Sequence, residues 1–263
     1  MPSLTPQTAH DWIARWDLQQ EGYLPDREER FTALVDAVEA AAGRPDPLVL
    51  DLGCGPGSLA VRLLSRLPRA TVIALDVDPL LLSLGRSGYS HVKGLRFTDV
   101  DLRVPGWSGS LELSRPADVA VSTTALHWLS EENLRSVYTE VLSLLRPGGI
   151  LLNGDHMQVE DENPVLSRLE RALHDTEKRR KFNDGPPEDW EQWWAATASE
   201  PALAGPLAER ARVFQSTGAD HSESLLLSIH LRTLREAGFA EIGTLWQRGD
   251  NRLLAAVAPG TAG

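Results

Sequence analysis

Apolar residues in this chain fall into short unbroken runs, separated by stretches where they recur every three or four positions. Leu48-Val49-Leu50 is the first run, and apolar side chains at consecutive positions predict a strand covered on both faces. The period then changes. Leu59, Leu63, Leu64 and Leu67 fall at helical spacing, with Ser58 standing where a helix cap is expected and Leu67-Pro68 where the helix ends. A second strand, Thr71 to Leu75, ends on Asp76. Third and fourth strands are expected over Leu95 to Val100 and Asp118 to Ser122. In Leu144 to Leu152, Pro147-Gly148-Gly149 stops a helix ahead of a fifth apolar strand. A further helix closes at Leu234 to Gly238, and Phe239 to Trp246 with Arg252 to Val257 read as a hairpin. Upstream, a helix from about Asp26 places Phe31, Leu34, Val35 and Val38 on one face. Strands alternating with helices predict an α/β fold with a mostly parallel sheet.

The seventy-odd residues from Asn153 to about Leu225 are too many for a connection and should form helices of their own. Pro164 opens one, with Val165, Leu166, Leu169 and Leu173 expected to face inward. Glu177-Lys178-Arg179-Arg180-Lys181 reads as a solvated charge run, and Asp184-Gly185-Pro186-Pro187 as a break. Trp190, Trp193 and Trp194 then form a stripe on a helix starting near Glu188, either core or a ligand face. Near the N-terminus Trp12 and Trp16, four apart, form either one apolar helical face or part of a site lining. One domain follows: an N-terminal helical cap (1–44), a core (45–153), a helical insertion (154–225), and a closing helix and hairpin (226–259).

Composition narrows the function classes. The net charge of −11 disfavours a nucleic-acid partner, since such binding relies on Lys and Arg neutralising phosphates. No apolar run is long enough to cross a bilayer, and MPSLTPQTAH lacks a basic region followed by an apolar core. The lone cysteine, Cys54, excludes a disulfide framework and fits a reducing cytoplasm; it reads as a small side chain fitted into its loop.

The chemistry concentrates between the first two strands. Asp51 is followed by Gly53, Gly55 and Gly57, a spacing that turns the backbone sharply and lets a ligand lie against the main chain. The acidic Asp76, about 20 residues on, stands where it can accept both hydroxyls of a ribose. A nucleoside cofactor is implied. The dinucleotide pattern G-x-G-x-x-G fails, because position 58 is serine. Asp51-x-Gly53-x-Gly55-x-Gly57 instead resembles motif I of the class I S-adenosylmethionine-dependent methyltransferases, and later segments match in order. The resemblance implies a doubly wound, seven-stranded, mostly parallel sheet with an antiparallel C-terminal strand. It implies S-adenosylmethionine as cofactor, with Asp51 near the cationic tail, Asp76 on the ribose and Val77 against the adenine. Asp101, with Asp99 as the competing choice, would accept from the adenine amino group. The backbone of Leu102 and the fourth-strand residue Ser122 complete the cofactor set. Ala125-Leu126-His127-Trp128-Leu129 is similar to the trans-aconitate methyltransferases and their small-molecule relatives.

Methyl transfer needs a base only where the nucleophile holds its proton. His127 and His156 follow the fourth and fifth strands, where a ligand meets such a sheet, and are the catalytic candidates. His221 and His230 read as structural. Tyr23, Trp128 and Trp194 are the candidates for lining a substrate pocket. No two histidines are spaced as a ligand pair on one helix, so no metal is expected. The expected partner is a small-molecule acceptor for a monomer or homodimer. The alternatives are another use of the sulfonium, such as cyclisation, and a non-enzymatic nucleoside-binding protein. A nicotinamide-dependent reductase is disfavoured by Ser58 and by the lack of a Tyr-x-x-x-Lys pair.

Overall fold

The computed structural model describes residues 3–159, 163–183, 185, 188–217 and 226–260. Five parallel strands form the sheet's main body: β1 (Leu48–Leu52), β2 (Thr71–Asp76), β3 (Leu95–Asp99), β4 (Ala117–Thr123) and β5 (Leu145–His156). The hairpin of β6 (Glu241–Arg248) and β7 (Asn251–Val257) joins with β7 antiparallel to β5. The order is β3-β2-β1-β4-β5-β7-β6, the doubly wound arrangement expected from the sequence. Strand order reverses between β1 and β4, so a crevice opens beyond their carboxyl ends, where ligands bind in such sheets.

Every residue of β1 is buried, and its side chains divide between two layers. Leu48, Leu50 and Leu52 join a core with α5 (Glu131–Leu144) and α9 (Leu227–Ala237). Val49 joins the opposite core, with α2 (Arg27–Ala42) and α3 (Ser58–Arg66). Ser58 does not cap α3 as expected. Gly57 takes that position in a left-handed conformation (φ +89°), and the Ser58 hydroxyl donates to Asp17 at 2.6 Å.

A third core joins α1 (Pro6–Tyr23) and α4 (Pro79–Gly88) to α7 (Trp190–Ala198). Trp193, fully buried, meets Trp12 and Trp16 edge-on at centroid separations of 5.8 and 5.0 Å. The tryptophan stripes therefore serve as core. Of the rest of the insertion, α8 (Ala204–Thr217) packs on α4. Among the described residues no helix is long and apolar enough to cross a membrane.

A second expectation fails. In α6 (Pro164–Lys181), Val165, Leu166, Leu169 and Leu173 are 52–55% exposed and do not face inward. The helix docks by its polar side instead. Glu170 pairs with the buried Arg252, Glu177 pairs with Arg248 at 2.8 Å, and Lys181 pairs with Glu21 at 2.9 Å. Lys181 is thus a tether to α1, where the sequence suggested a solvated run. The helical period locates a stripe but not which side is buried, and here ion pairs with the hairpin set the rotation. Substituting Leu169→Gln or Leu173→Gln is expected to change the unfolding free energy by less than about 0.5 kcal/mol. A loss of about 2–5 kcal/mol in urea denaturation, the cost of disrupting a core leucine, would show that these side chains are covered.

Candidate active site

The turn after β1 is built without slack. The amides of Gly53 and Cys54 both donate to the Leu75 carbonyl, at 2.8 and 2.9 Å, which ties the turn to the end of β2. Gly53 has φ +68°, and a Cβ placed on it would stand 2.3 Å from the Ala125 Cβ. Only glycine fits there. Over Gly55 the space is open: an added Cβ would meet nothing nearer than 3.9 Å, at Leu81 and Trp16. Cys54 is buried in the adjoining core, and burial pushes its thiol well above the usual range, in keeping with a packing role.

Two carboxylates flank this turn. Asp51 is fully buried, and neither oxygen has a hydrogen-bond partner among the described residues. The Ala60 amide lies close without completing a bond. Burial, with Asp76 adding to it, raises the Asp51 carboxyl to about 7. Asp76 accepts from the Gly55 amide at 2.7 Å and the Asp78 amide at 2.8 Å. Burial raises it to about 6 against those amides. A buried carboxylate without a donor is costly unless a cation or a donor reaches it. This set suits a positively charged ligand lying against the glycine turn.

A cleft of about 520 Å³ lies past the end of β2, lined by Val77, Asp99, Val100 and Asp101, with Glu209 and Val213 of α8 also on its walls. Both oxygens of Asp101 are held by Arg103, at 2.8 Å each, while Asp99 pairs with Arg86 at 3.0 Å. The Leu102 side chain packs on the core beneath. Ser122 is fully buried, and its hydroxyl donates to the Leu52 carbonyl, cross-linking β4 to β1.

Beyond β4 the chain turns through Thr124, at φ +48° the one described non-glycine residue in the left-handed region. For a β-branched residue this is strained, and it delivers His127 to the mouth of the crevice. His127 Nδ1 lies 2.8 Å from Oδ1 of Asp155, which is fully buried on β5. Burial alone would raise the Asp155 carboxyl, but His127, Arg30 and His156 outweigh it and hold it at about 2. Burial alone would lower His127, yet the Asp155 charge and hydrogen bond win and raise it above the ordinary imidazole value. Arg30, fully buried on α2, backs the pair. It donates to Asn251 at 2.9 Å and Thr123 at 2.7 Å, and burial brings its guanidinium down to about 10. Sequence patterning saw only a charged helix start at Arg30; its role follows from where the helix lands.

His156 does not join this pair. Its Nδ1 lies 3.2 Å from Asp250, in the turn between β6 and β7. His230 is buried, its Nδ1 hydrogen-bonded with the Tyr138 hydroxyl at 2.6 Å, and is pushed by burial down to about 4, in keeping with a structural role. His221 lies outside the described residues. Tyr23 is half-exposed at the end of α1, its hydroxyl accepting from the Trp190 amide at 3.1 Å. Trp128 is half-exposed beside His127, their rings 5.1 Å apart. One face of Trp194 is covered by the Arg210 guanidinium at 3.9 Å.

Residues 49–149 match a family model described as a methyltransferase domain. A trans-aconitate 2-methyltransferase of Azoarcus sp. (strain BH72) is 32% identical over 136 residues, covering 52% of this chain and 49% of that protein. A protein of the same name from Streptomyces coelicolor is 30% identical over 180 residues, covering 67% and 54%. The chain spans about half the length of the relatives it matches. Among solved structures, an O-methyltransferase family protein from Burkholderia thailandensis shares the fold with a TM-score of 0.58 at 20% identity, over 98% of this chain and 64% of that one. With its seven-stranded sheet and its glycine turn, the region that matches the methyltransferase domain has the architecture of a class I S-adenosylmethionine-dependent methyltransferase.

Proposed function

We propose that this protein methylates a small-molecule acceptor whose nucleophile holds a proton at neutral pH, with His127 as the general base. The observation that carries this reading is the His127–Asp155 pair at the carboxyl edge of the sheet. A carboxylate acceptor, such as the trans-aconitate of the relatives' names, is already deprotonated and asks for no base. A buried, arginine-backed carboxylate orienting an imidazole serves an alcohol, phenol, amine or acidic carbon.

The residues present fit S-adenosylmethionine. Asp51 offers an unpartnered buried carboxylate for the cationic end, and the open face of Gly55 leaves room for it. Val77 and Asp101 line the cleft proposed for the adenine, and Asp76, at the end of β2 beside the glycine turn, is proposed for the ribose. When bound, the cofactor supplies an electrophilic methyl group on a good leaving group. The protein's share is to hold the acceptor in line and to take its proton. Asp155 accepts from Nδ1–H of His127, so Nε2 keeps the lone pair. Nε2 of His127 is the atom that would take the acceptor's proton. The imidazolium then faces the ionised Asp155. Tyr23 and Trp128 are proposed to line the acceptor pocket, a small-molecule acceptor fits a net charge of −11 that disfavours a nucleic-acid substrate, and the single cysteine fits a reducing cytoplasm.

Titration calorimetry with S-adenosylmethionine, S-adenosylhomocysteine and nicotinamide dinucleotides tests the cofactor. Release of S-adenosylhomocysteine with phenols, alcohols and amines, set against trans-aconitate, tests the acceptor. Binding without turnover would favour a non-enzymatic nucleoside-binding protein, and a product lacking the added methyl would favour cyclisation.

Two outcomes follow from the site. Asp51→Asn is expected to weaken S-adenosylmethionine binding about tenfold or more, since a charge-assisted contact is worth about 1.5–3 kcal/mol. Because the Asp51 carboxyl is raised to about 7, wild-type affinity should rise between pH 6 and 7.5 as the carboxylate ionises, and the variant should lose that dependence. Unchanged affinity in Asp51→Asn would remove Asp51 from the cofactor site. His127→Asn should lower kcat by about 10²–10⁴ while leaving S-adenosylmethionine affinity within about twofold. His127 works only when neutral and its pKa is raised, so the acid limb of the wild-type rate should lie above pH 6.5. A limb that persists in His127→Asn would belong to another group.

A further inference from the structure

Three side chains from distant parts of the sequence converge where the insertion meets the sheet. His156 ends β5, His174 lies on α6, and Asp250 sits in the turn before β7. One ligand atom from each lies within 4.8 Å of the other two. His156 Nδ1 approaches Asp250 Oδ1 at 3.2 Å, and the two imidazoles stand edge to face with centroids 5.3 Å apart. We propose that His156, His174 and Asp250 bind one divalent transition-metal ion of the zinc class, leaving a coordination position open to water or an acceptor oxygen.

The donor set selects the ion. Two imidazoles and one carboxylate suit zinc, cobalt or nickel, whereas magnesium and calcium prefer all-oxygen cages. Zinc with bonds of about 2.0–2.2 Å in a tetrahedral site requires donor atoms about 3.4 Å apart. The His156–Asp250 pair is already at that spacing, so only His174 must close in. Both histidine side chains are partly exposed, which gives the ion an entry path.

The scaffold around the three ligands is fixed. The Met157 amide donates to the Asp250 carbonyl at 2.9 Å, setting the turn against the end of β5. Glu170, one helical turn before His174, pairs with Arg252, and Glu177, about one turn after, pairs with Arg248. A Cβ on Gly249 would stand 3.2 Å from the Glu170 carbonyl, so the turn and α6 meet backbone to backbone. These contacts pin α6 over the hairpin on both sides of His174. Of the nearby charges, Asp175 favours a cation, and Lys178 opposes one while lying over the Tyr23 ring at 5.8 Å.

The ion would join β5, the insertion and the hairpin at one point. It would also place a Lewis acid one residue from Asp155, the partner of His127. The proposal stands apart from the methylation reading, because metal binding is measured directly.

The full chain, stripped with a chelator and dialysed, is titrated with zinc chloride against a chromogenic competitor. Cobalt substitution then reads ligand geometry from its visible bands. One equivalent per chain is expected, with His174→Ala and Asp250→Asn each weakening affinity about tenfold or more. His91→Ala, at the separate His10–His91 contact beside Tyr89, should change nothing. Should Asp250→Asn fail to fold, His174→Ala on the half-exposed helix face still decides. Absence of stoichiometric binding overturns the site, as does binding that survives both substitutions.

Discussion

The arrangement depends on one buried carboxylate. Asp155 is wholly removed from solvent, and an unpaired charge there would cost several kcal/mol. It stays ionised because His127, Arg30 and the His156 amide converge on it from β4, α2 and β5. Arg30 is buried too, and reaches on to Thr123 and Asn251, which in turn donates to Asp26 at 2.7 Å. Each charge is tolerable only because the others are present. Helix α2, three strands and the orientation of His127 are thereby linked through charge contacts and hydrogen bonds that cannot be lost singly.

Gly154 shows how tightly this is built. A Cβ at that position would stand 3.0 Å from the Arg30 side chain, so any larger residue just before the carboxylate would have to push the arginine stem aside by a few tenths of an ångström. The strained Thr124 belongs to the same economy. Its amide is held by the Gly154 carbonyl at 2.9 Å, so the strand that carries Asp155 also fixes the turn that carries His127. Pre-organisation of this kind keeps a base aimed without reorganisation during the reaction.

The sheet was legible because its signals are local. Leu48-Val49-Leu50, the glycine spacing and the acidic residue ending β2 each report on a few neighbouring residues, and the βαβ order follows. The positions of His127 and His156 at strand ends were legible for the same reason. Their partners were not. Asp155 is adjacent to His156 in sequence yet serves His127, because alternation along β5 sends successive side chains to opposite faces. His156 meets Asp250, ninety-odd residues away, through the antiparallel pairing of β5 with β7. His174 and the face of α6 that docks were hidden for a related reason: apolar periodicity pointed to the leucines, whereas ion pairs to Arg248 and Arg252 set the helix's rotation. Ser58 and Ser122 sit where motifs place them, but their hydroxyls bond to Asp17 and the Leu52 carbonyl, acceptors the local sequence does not reveal.

The contact between Gly53 and Ala125 has a wider meaning for how such a chain can change. The turn proposed to cradle the ligand and the turn that carries His127, the proposed base, occupy one shared volume, with no room for a single added methyl group. Neither loop can be redesigned alone: a bulkier residue on either side displaces the other, and with it either the cradle or the imidazole. Divergence is therefore steered away from this seam and into elements such as α8, which lines the cleft without taking part in the contact.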